Sequence, residues 1–487
     1  MTVAKPAGGL ARKSVGTGSL WVVGVAASSP MTVLAGGVVA TYAGTGVVGV
    51  PLSFPILAVA LALLTVGWVA MSRHLPHAAT AYALLAHGLG RPWGVAGAAV
   101  ALIAYNSIQI SLYGLVGVTL SSLAGGEWWV WAALAWLIIA LLGVRHVHLN
   151  AGVLTVALVV EISVIALLDL TAFTHPAAGS VSLAPLTTGE LFVDGVGGVF
   201  ALGIAAFVGY ESGPVFAEEA RSHKTVARAT FATLVFLGLF YAASSWALAV
   251  AVGPDQVVGV ARDPSAGLPF SILAGSYGAL IVGVATALLV TSVLAAMISF
   301  HNSVARYLFA LGRERVLPFG LARLNPRTGA PTGGSIVQSA IAATVVAAFV
   351  LAGADPVTML FTWLSTVGAI GVLAVLVAAS WAALRYFRAG GGTNEGAWTR
   401  RIAPTLGVLA GVAVLGTMVG NVESLLGVPP RSALTFVLPG IVVVAAIVGL
   451  CWGLSLRKRR PEIYEGIGRG RPHPLAVMDH RLAQVEV

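Results

Sequence analysis

The most constraining feature of this chain is a succession of apolar blocks, each about 20 residues long, the length at which a helix crosses roughly 30 Å of hydrocarbon. They fall near residues 19–43, 48–70, 94–122, 128–144, 148–172, 197–217, 228–252, 275–305, 333–353, 356–384, 403–420 and 433–456. Each block is apolar continuously and does not alternate, which predicts helices and not barrel strands. Of the 487 residues, 58% are apolar and 9% charged, against about 25% charged in a soluble domain. The fold class predicted is an all-α polytopic membrane protein with twelve transmembrane helices. The first apolar run is too long for a signal peptide and lacks a plausible cleavage site, so a retained first helix is expected.

Composition removes several classes. Cys451 is the single cysteine, which excludes an intramolecular disulfide framework and Cys-based zinc or iron–sulfur sites. No stretch between the blocks is long enough for a soluble catalytic domain. The net charge of +9 is spread over seven segments, which argues against nucleic acid as a partner. All but Arg262 and Arg431 of the 27 Lys and Arg residues fall before the first block, in the even-to-odd connections or after the last block. That bias predicts a cytoplasmic-membrane protein with both termini in the cytoplasm. The expected organisation is a cytoplasmic segment 1–18, a first group of five helices over 19–172, a second over 197–384, two further helices over 403–456, and a flexible basic tail over 457–487.

Two of the blocks are interrupted. The first carries Ala27-Ser28-Ser29-Pro30-Met31-Thr32, and the sixth carries Gly209-Tyr210-Glu211-Ser212-Gly213-Pro214. Both set helix-breaking residues and polar groups inside apolar helices, five blocks apart, as expected if the chain is two inverted five-helix repeats. Such paired breaks point to a transporter site at the bilayer midplane, because the freed N–H and C=O groups need partners in a dry medium. No Lys or Arg lies deep in any block, so a bound carboxylate would be held by backbone N–H groups at a half-helix N-terminus. Residues Ala27 to Met31 are the candidates, among them Ser28 and Ser29; Pro30 has no N–H. The carbonyls from Phe207 to Tyr210, Gly209 included, are candidates to accept from an ammonium.

Residues 206–230, Ala-Phe-Val-Gly-Tyr-Glu-Ser-Gly-Pro-Val-Phe-Ala-Glu-Glu-Ala followed by Arg-Ser-His-Lys-Thr-Val-Ala-Arg-Ala-Thr, resemble the sixth-helix pattern of the amino acid–polyamine–organocation (APC) permease superfamily. Asn302-Ser303-Val304-Ala305-Arg306 with Leu311-Gly312-Arg313-Glu314-Arg315 resembles the end of its eighth helix. Ser28-Ser29-Pro30 departs from the family's usual Gly-Ser-Gly. The resemblance implies the LeuT-type five-plus-five inverted repeat with two added helices, and an amino acid bound between the two breaks. It also implies that Phe300 contacts substrate, and that Ala205 stands where a gating tryptophan is usual.

An ionised carboxylate inside a bilayer is costly, which makes Glu211 and Glu161 candidates for proton coupling. Glu211 matches a family glutamate tied to proton-dependent release, with a structural cap hydrogen-bonded to the freed backbone as its alternative. Glu161 falls about one turn from the place of a coupling lysine used by some members, and structural pairing with a neighbouring helix is its alternative. His301, beside Phe300, is a third titratable candidate, with a hydrogen-bonded packing role as its alternative. Asn106 in the third block and Trp363 in the tenth are candidate pocket residues, and interhelical hydrogen bonding is the alternative for each.

The run Gly44-Thr45-Gly46-Val47-Val48-Gly49 spells a nucleotide-binding pattern, yet it joins two membrane blocks and no acid follows for a long stretch, so no nucleotide is expected. The reading is a secondary transporter of an amino acid or related amine, driven by protons, with no cofactor and no metal. Exchange of two amines is the alternative mechanism. A membrane-embedded transferase is the alternative class, but Glu218-Glu219 and Glu314 in the basic-face loops lie close to Arg and Lys residues that suggest ion pairs.

Overall fold

The computed structural model describes residues 16–470 except 76, 78, 146–150, 212–220, 264–266, 326–328, 393 and 427–431. The segments 1–15 and 471–487, Ser212-Gly213-Pro214 and Glu218-Glu219 lie outside the described residues. Every regular element among the described residues is helical.

Among the described residues, eleven helices are long and apolar enough to cross a membrane. They are α1 (Thr17–Thr45), α2 (Val50–His74), α3 (Arg91–Ala124), α4 (Trp128–Arg145) and α5 (Ala151–Thr174), then α7 (His223–Val252), α8 (Phe270–Arg313), α9 (Thr332–Leu351), α10 (Pro356–Arg388), α11 (Trp398–Gly420) and α12 (Ala433–Arg459). The sixth expected span is the shorter helix α6 (Val196–Phe207), which stops at its break. Together they make the twelve-helix bundle that the hydropathy predicts.

Burial separates an inner from an outer set. The apolar stretches of α3 and α10 are each 78% buried, while that of α12 is 17% buried. A helix that is apolar all round and yet exposed needs lipid around it, and α12 shows Val443, Val444 and Val448 on its open side. Its other side lies hard against α3: a Cβ on Gly449 would sit 2.7 Å from the Cα of Ala96, and one on Gly453 2.7 Å from that of Pro92. Small residues four apart allow this backbone approach, which favours packing where lipid supplies no hydrophobic drive between helices.

Three features depart from expectation. Helix α8 runs on to Arg313, eight residues past its predicted end, and kinks at Gly278, where φ is 74°. A short helix, Thr80–Gly88, lies between α2 and α3 and is buried along most of its length. The described part of the tail, as far as Gly470, departs from the flexible segment expected: after Arg459 a turn of helix over Pro461–Gly466 seats Ile463 and Ile467 in the core.

Candidate functional site

The two breaks meet at the centre of the bundle. In α1 the first half ends at Ser29, whose φ of 49° is left-handed, and Pro30 opens the second half at its N1 position, where a missing N–H costs nothing. The Ser29 hydroxyl donates to the Ala26 carbonyl and to that of Ser292 on α8, each at 3.0 Å. In α6 the helix ends at Phe207, and Gly209 takes a φ of 116°. A Cβ there would lie 2.8 Å from the Ala27 carbonyl carbon, so glycine is required twice over: for the dihedral and for contact between the two broken backbones.

A cavity of about 50 Å³ opens between the breaks, lined by Ala27, Ser28, Ser29 and Thr32 from α1, Leu202 and Val208 from α6, Phe300 from α8 and Ser365 from α10, among others. A second cavity lies beyond Phe300, lined by Tyr105, Gly209, Glu211, Tyr307 and the start of the short helix at Thr80 and Ala81. Phe300 belongs to both, and its ring stacks on that of Tyr105 with centroids 6.4 Å apart. One aromatic pair therefore separates the central cavity from the one nearer the basic face.

The two acids singled out by sequence sit in different places. Glu161, on α5, is buried against the break in α1: its Oε1 accepts the Met31 N–H at 2.5 Å and the Ser292 hydroxyl at 2.9 Å. Ser292 in turn accepts from the Thr32 hydroxyl at 3.2 Å. A single chain of hydrogen bonds thus runs from the cavity wall at Thr32, through Ser292, to Glu161. Glu211 folds back on its own break, with Oε2 accepting the Gly209 N–H at 2.9 Å and Oε1 accepting the Tyr105 hydroxyl at 3.1 Å. It faces the second cavity.

Of the other candidates, Ala27, Ser28, Ser29 and Phe300 line the central cavity. Met31 is buried, and its N–H is taken by Glu161. Phe207 is fully buried beside Phe54 and Tyr241, with ring centroids 6.2 Å away in each case; its contribution to the break is a carbonyl 3.5 Å from the Ser28 hydroxyl. The Tyr210 hydroxyl pairs with that of Thr65 at 3.1 Å, and Asn106 donates within its own helix to the Leu102 carbonyl at 2.7 Å. Trp363 packs partly buried against the core. His301 points away from both cavities, its Nε2 2.7 Å from the Ser335 hydroxyl on α9. The side chains of Phe207, Tyr210, Asn106, Trp363 and His301 are each held by a packing or hydrogen-bonding partner outside the cavities.

Two further groups carry no signal in the sequence, and the partners of a third differ from those expected. Ser292 lies in an unbroken apolar block and gave no signal. Asp169, near the end of α5, accepts from Ser244 at 2.8 Å. At the basic face, Glu314 is 2% exposed and gathers four donors: His77 Nε2 at 3.0 Å, the Tyr82 hydroxyl at 2.5 Å, and the N–H groups of Gly468 and Gly470 at 2.9 and 2.7 Å. The expected pairing with neighbouring arginines is replaced by this cluster. Ala79 N–H donates to Nδ1 of the same imidazole, which leaves the ring proton on Nε2. Burial works to raise the Glu314 carboxyl, but the hydrogen bonds from His77, Tyr82 and Gly468 outweigh it and hold it below the ordinary carboxylate range. The cluster joins the loop after α2, the end of α8 and the tail after α12, closing the bundle on that side of the second cavity.

The amino acid permease family profile matches residues 19–447, and no curated protein matches the chain. The chain belongs to the amino acid permease family of the APC superfamily, a multi-pass membrane protein that transports amino acids.

Proposed function

We propose that the protein is an amino acid–proton symporter of the cytoplasmic membrane, with its basic face in the cytoplasm, and that Glu161 is the coupling acid. The observation that carries this is the chain Thr32–Ser292–Glu161. When Glu161 is a carboxylate it can only accept, so the Ser292 hydrogen points to Glu161 and the Thr32 hydrogen points to Ser292. The cavity then meets only lone pairs at Thr32. A proton on Glu161 lets it donate to Ser292; Ser292 can turn its hydrogen to Thr32, and Thr32 becomes a donor to the cavity. An amino acid's carboxylate is then welcomed at the start of the second half of α1, where the helix dipole also favours it. The ammonium faces the end of α6, whose last carbonyls have no partner within the helix.

The sign is that of symport: protonation and substrate binding favour one another, and by linkage each strengthens the other equally. Glu211 serves as a cap in this reading, because one oxygen accepts the Gly209 N–H of its own break and the other accepts the Tyr105 hydroxyl of α3. The test is uptake of labelled amino acids into proteoliposomes with and without an inward proton gradient, in the wild type and in Glu161→Gln. The wild type is expected to accumulate substrate only with the gradient. The variant should keep exchange of labelled for unlabelled substrate while losing gradient-driven accumulation about tenfold or more. Uptake that depends on internal amino acid whatever the gradient would replace symport by exchange; full coupling in the variant would remove Glu161 from the mechanism.

A further inference from the structure

We infer that the substrates are amino acids with small, uncharged, aliphatic side chains, selected by the wall of the central cavity; this rests on the transport reading above. Among the described residues lining that cavity there is no Lys, Arg, His, Asp or Glu. The two nearest acids sought by sequence are both turned elsewhere: Glu161 stands behind Ser292, and Glu211 stands beyond Phe300 with Gly209 and Tyr105 as its donors. A lysine or glutamate side chain would leave water without a counter-charge, a cost that an apolar site cannot offset.

The hydroxyls of the wall do not change this. The Ser365 hydroxyl donates to Ser111, and Ser111 donates to the Ile108 carbonyl, at 3.0 and 2.8 Å. Ser28 and Ser29 are likewise directed at carbonyls. Their hydrogens are committed within the protein, so a polar side chain meets few free donors. What remains is Ile108, Leu112, Leu202, Phe300 and Phe361, an apolar surface. The cavity's volume of about 50 Å³ sets a size limit as well as a polarity.

Gly37 offers a way to move that limit without disturbing the fold. It lines the cavity, and a Cβ built on it meets no atom within 4 Å, so a side chain there projects into the space the substrate would fill. The experiment is uptake of labelled glycine, alanine, valine, leucine, lysine and glutamate into proteoliposomes under an inward proton gradient, for wild type, Gly37→Ala and Gly37→Val. The expected result is that the neutral aliphatic members enter at least a hundredfold faster than lysine or glutamate. Gly37→Val should cut leucine and valine uptake about tenfold or more and spare glycine and alanine, with Gly37→Ala in between.

Lysine or glutamate transported as well as valine would overturn the substrate class and leave transport standing. Equal loss of every amino acid in both Gly37 variants, with normal protein levels in the vesicles, would overturn the placement of the side chain against Gly37. No uptake of any amino acid by the wild type would overturn the transport reading itself, and the substrate class with it.

Discussion

Two buried glutamates, one at the centre and one at the basic face, are held in opposite ways. Glu161 receives two donors on a single oxygen, and both come from elements at the hinge: the N–H after the break in α1 and a hydroxyl of α8. Glu314 receives four donors shared between both oxygens, and they come from two segments of chain far apart in sequence, the stretch after α2 and the tail after α12. A carboxylate with every lone-pair direction in use stays ionised and fastens what surrounds it. One that is only half satisfied can exchange a proton and a partner at small cost. The same side chain thus makes a latch at the basic face and a switch at the centre, and the difference lies in how many donors the fold brings to it.

Removing the side chains should expose that difference. Glu314→Ala leaves a histidine, a tyrosine hydroxyl and two backbone N–H groups buried without their acceptor, at a cost of about 3–5 kcal/mol. Glu161→Ala strands one N–H and one hydroxyl, costing about 1–3 kcal/mol, and Ser292 can turn to another acceptor. Thermal unfolding in detergent should therefore show a markedly larger fall for Glu314→Ala. A cysteine introduced at Ala81, in the wall of the second cavity, should become open to a water-soluble thiol reagent in the Glu314→Ala background and not in the Glu161→Ala background. Equal falls would mean that donor count does not distinguish the two acids.

Acid should loosen the latch selectively. Because the folded-state carboxyl of Glu314 is held below its ordinary value, its contribution to stability is fully present above the unfolded carboxylate range and is lost as pH falls through the lowered folded value. The latch is thus expected to be constant around neutral pH and to open only below the usual carboxylate range. Hydrogen exchange at the Gly468 and Gly470 amides, measured across that range, reports it directly: protection should fall with acid in the wild type and be low at every pH in Glu314→Gln.

The twelve spans were legible because hydropathy over twenty residues is a strong signal, and the paired breaks were legible because Pro and Gly interrupt the apolar helix that contains them. The residues between the breaks were less so. Phe207 and Tyr210 are candidates through their carbonyls, and their large rings bury against α2 and α7, while small neighbours line the space: Ala27, Ser28 and Ser29 stand out in the sequence by their place at the break, and Gly37 does not. Glu161 stands out in the sequence as an acid inside an apolar block, but its meeting with Met31 depends on how α5 and α8 close around α1, and no local pattern encodes that. The latch was the least legible part. His77, Tyr82 and Glu314 are more than 230 residues apart at the extremes, and the glycines that complete it follow a charged run that composition reads as a loose tail.

The smallest effect is expected at His301, and it closes the comparison by supplying a buried titratable group that is neither latch nor switch. It is 1% exposed and close to the centre in sequence terms, next to Phe300. Its ring, however, faces α4 and α9: Nε2 pairs with Ser335, and Gly143 on α4 leaves room for it, since a Cβ there would lie only 2.2 Å from that nitrogen. No chain of hydrogen bonds links it to Thr32, Ser292 or Glu161 among those described. His301→Gln preserves a donor or acceptor toward Ser335 and should cost about 1 kcal/mol or less in stability. Gradient-driven uptake should keep its rate within about twofold and its pH profile unshifted, whereas Glu161→Gln removes that profile. A shifted profile in His301→Gln would mean that titration on the α8 face toward α9 reaches the cavity, and that coupling is shared between the two sides of α8 instead of resting on Glu161.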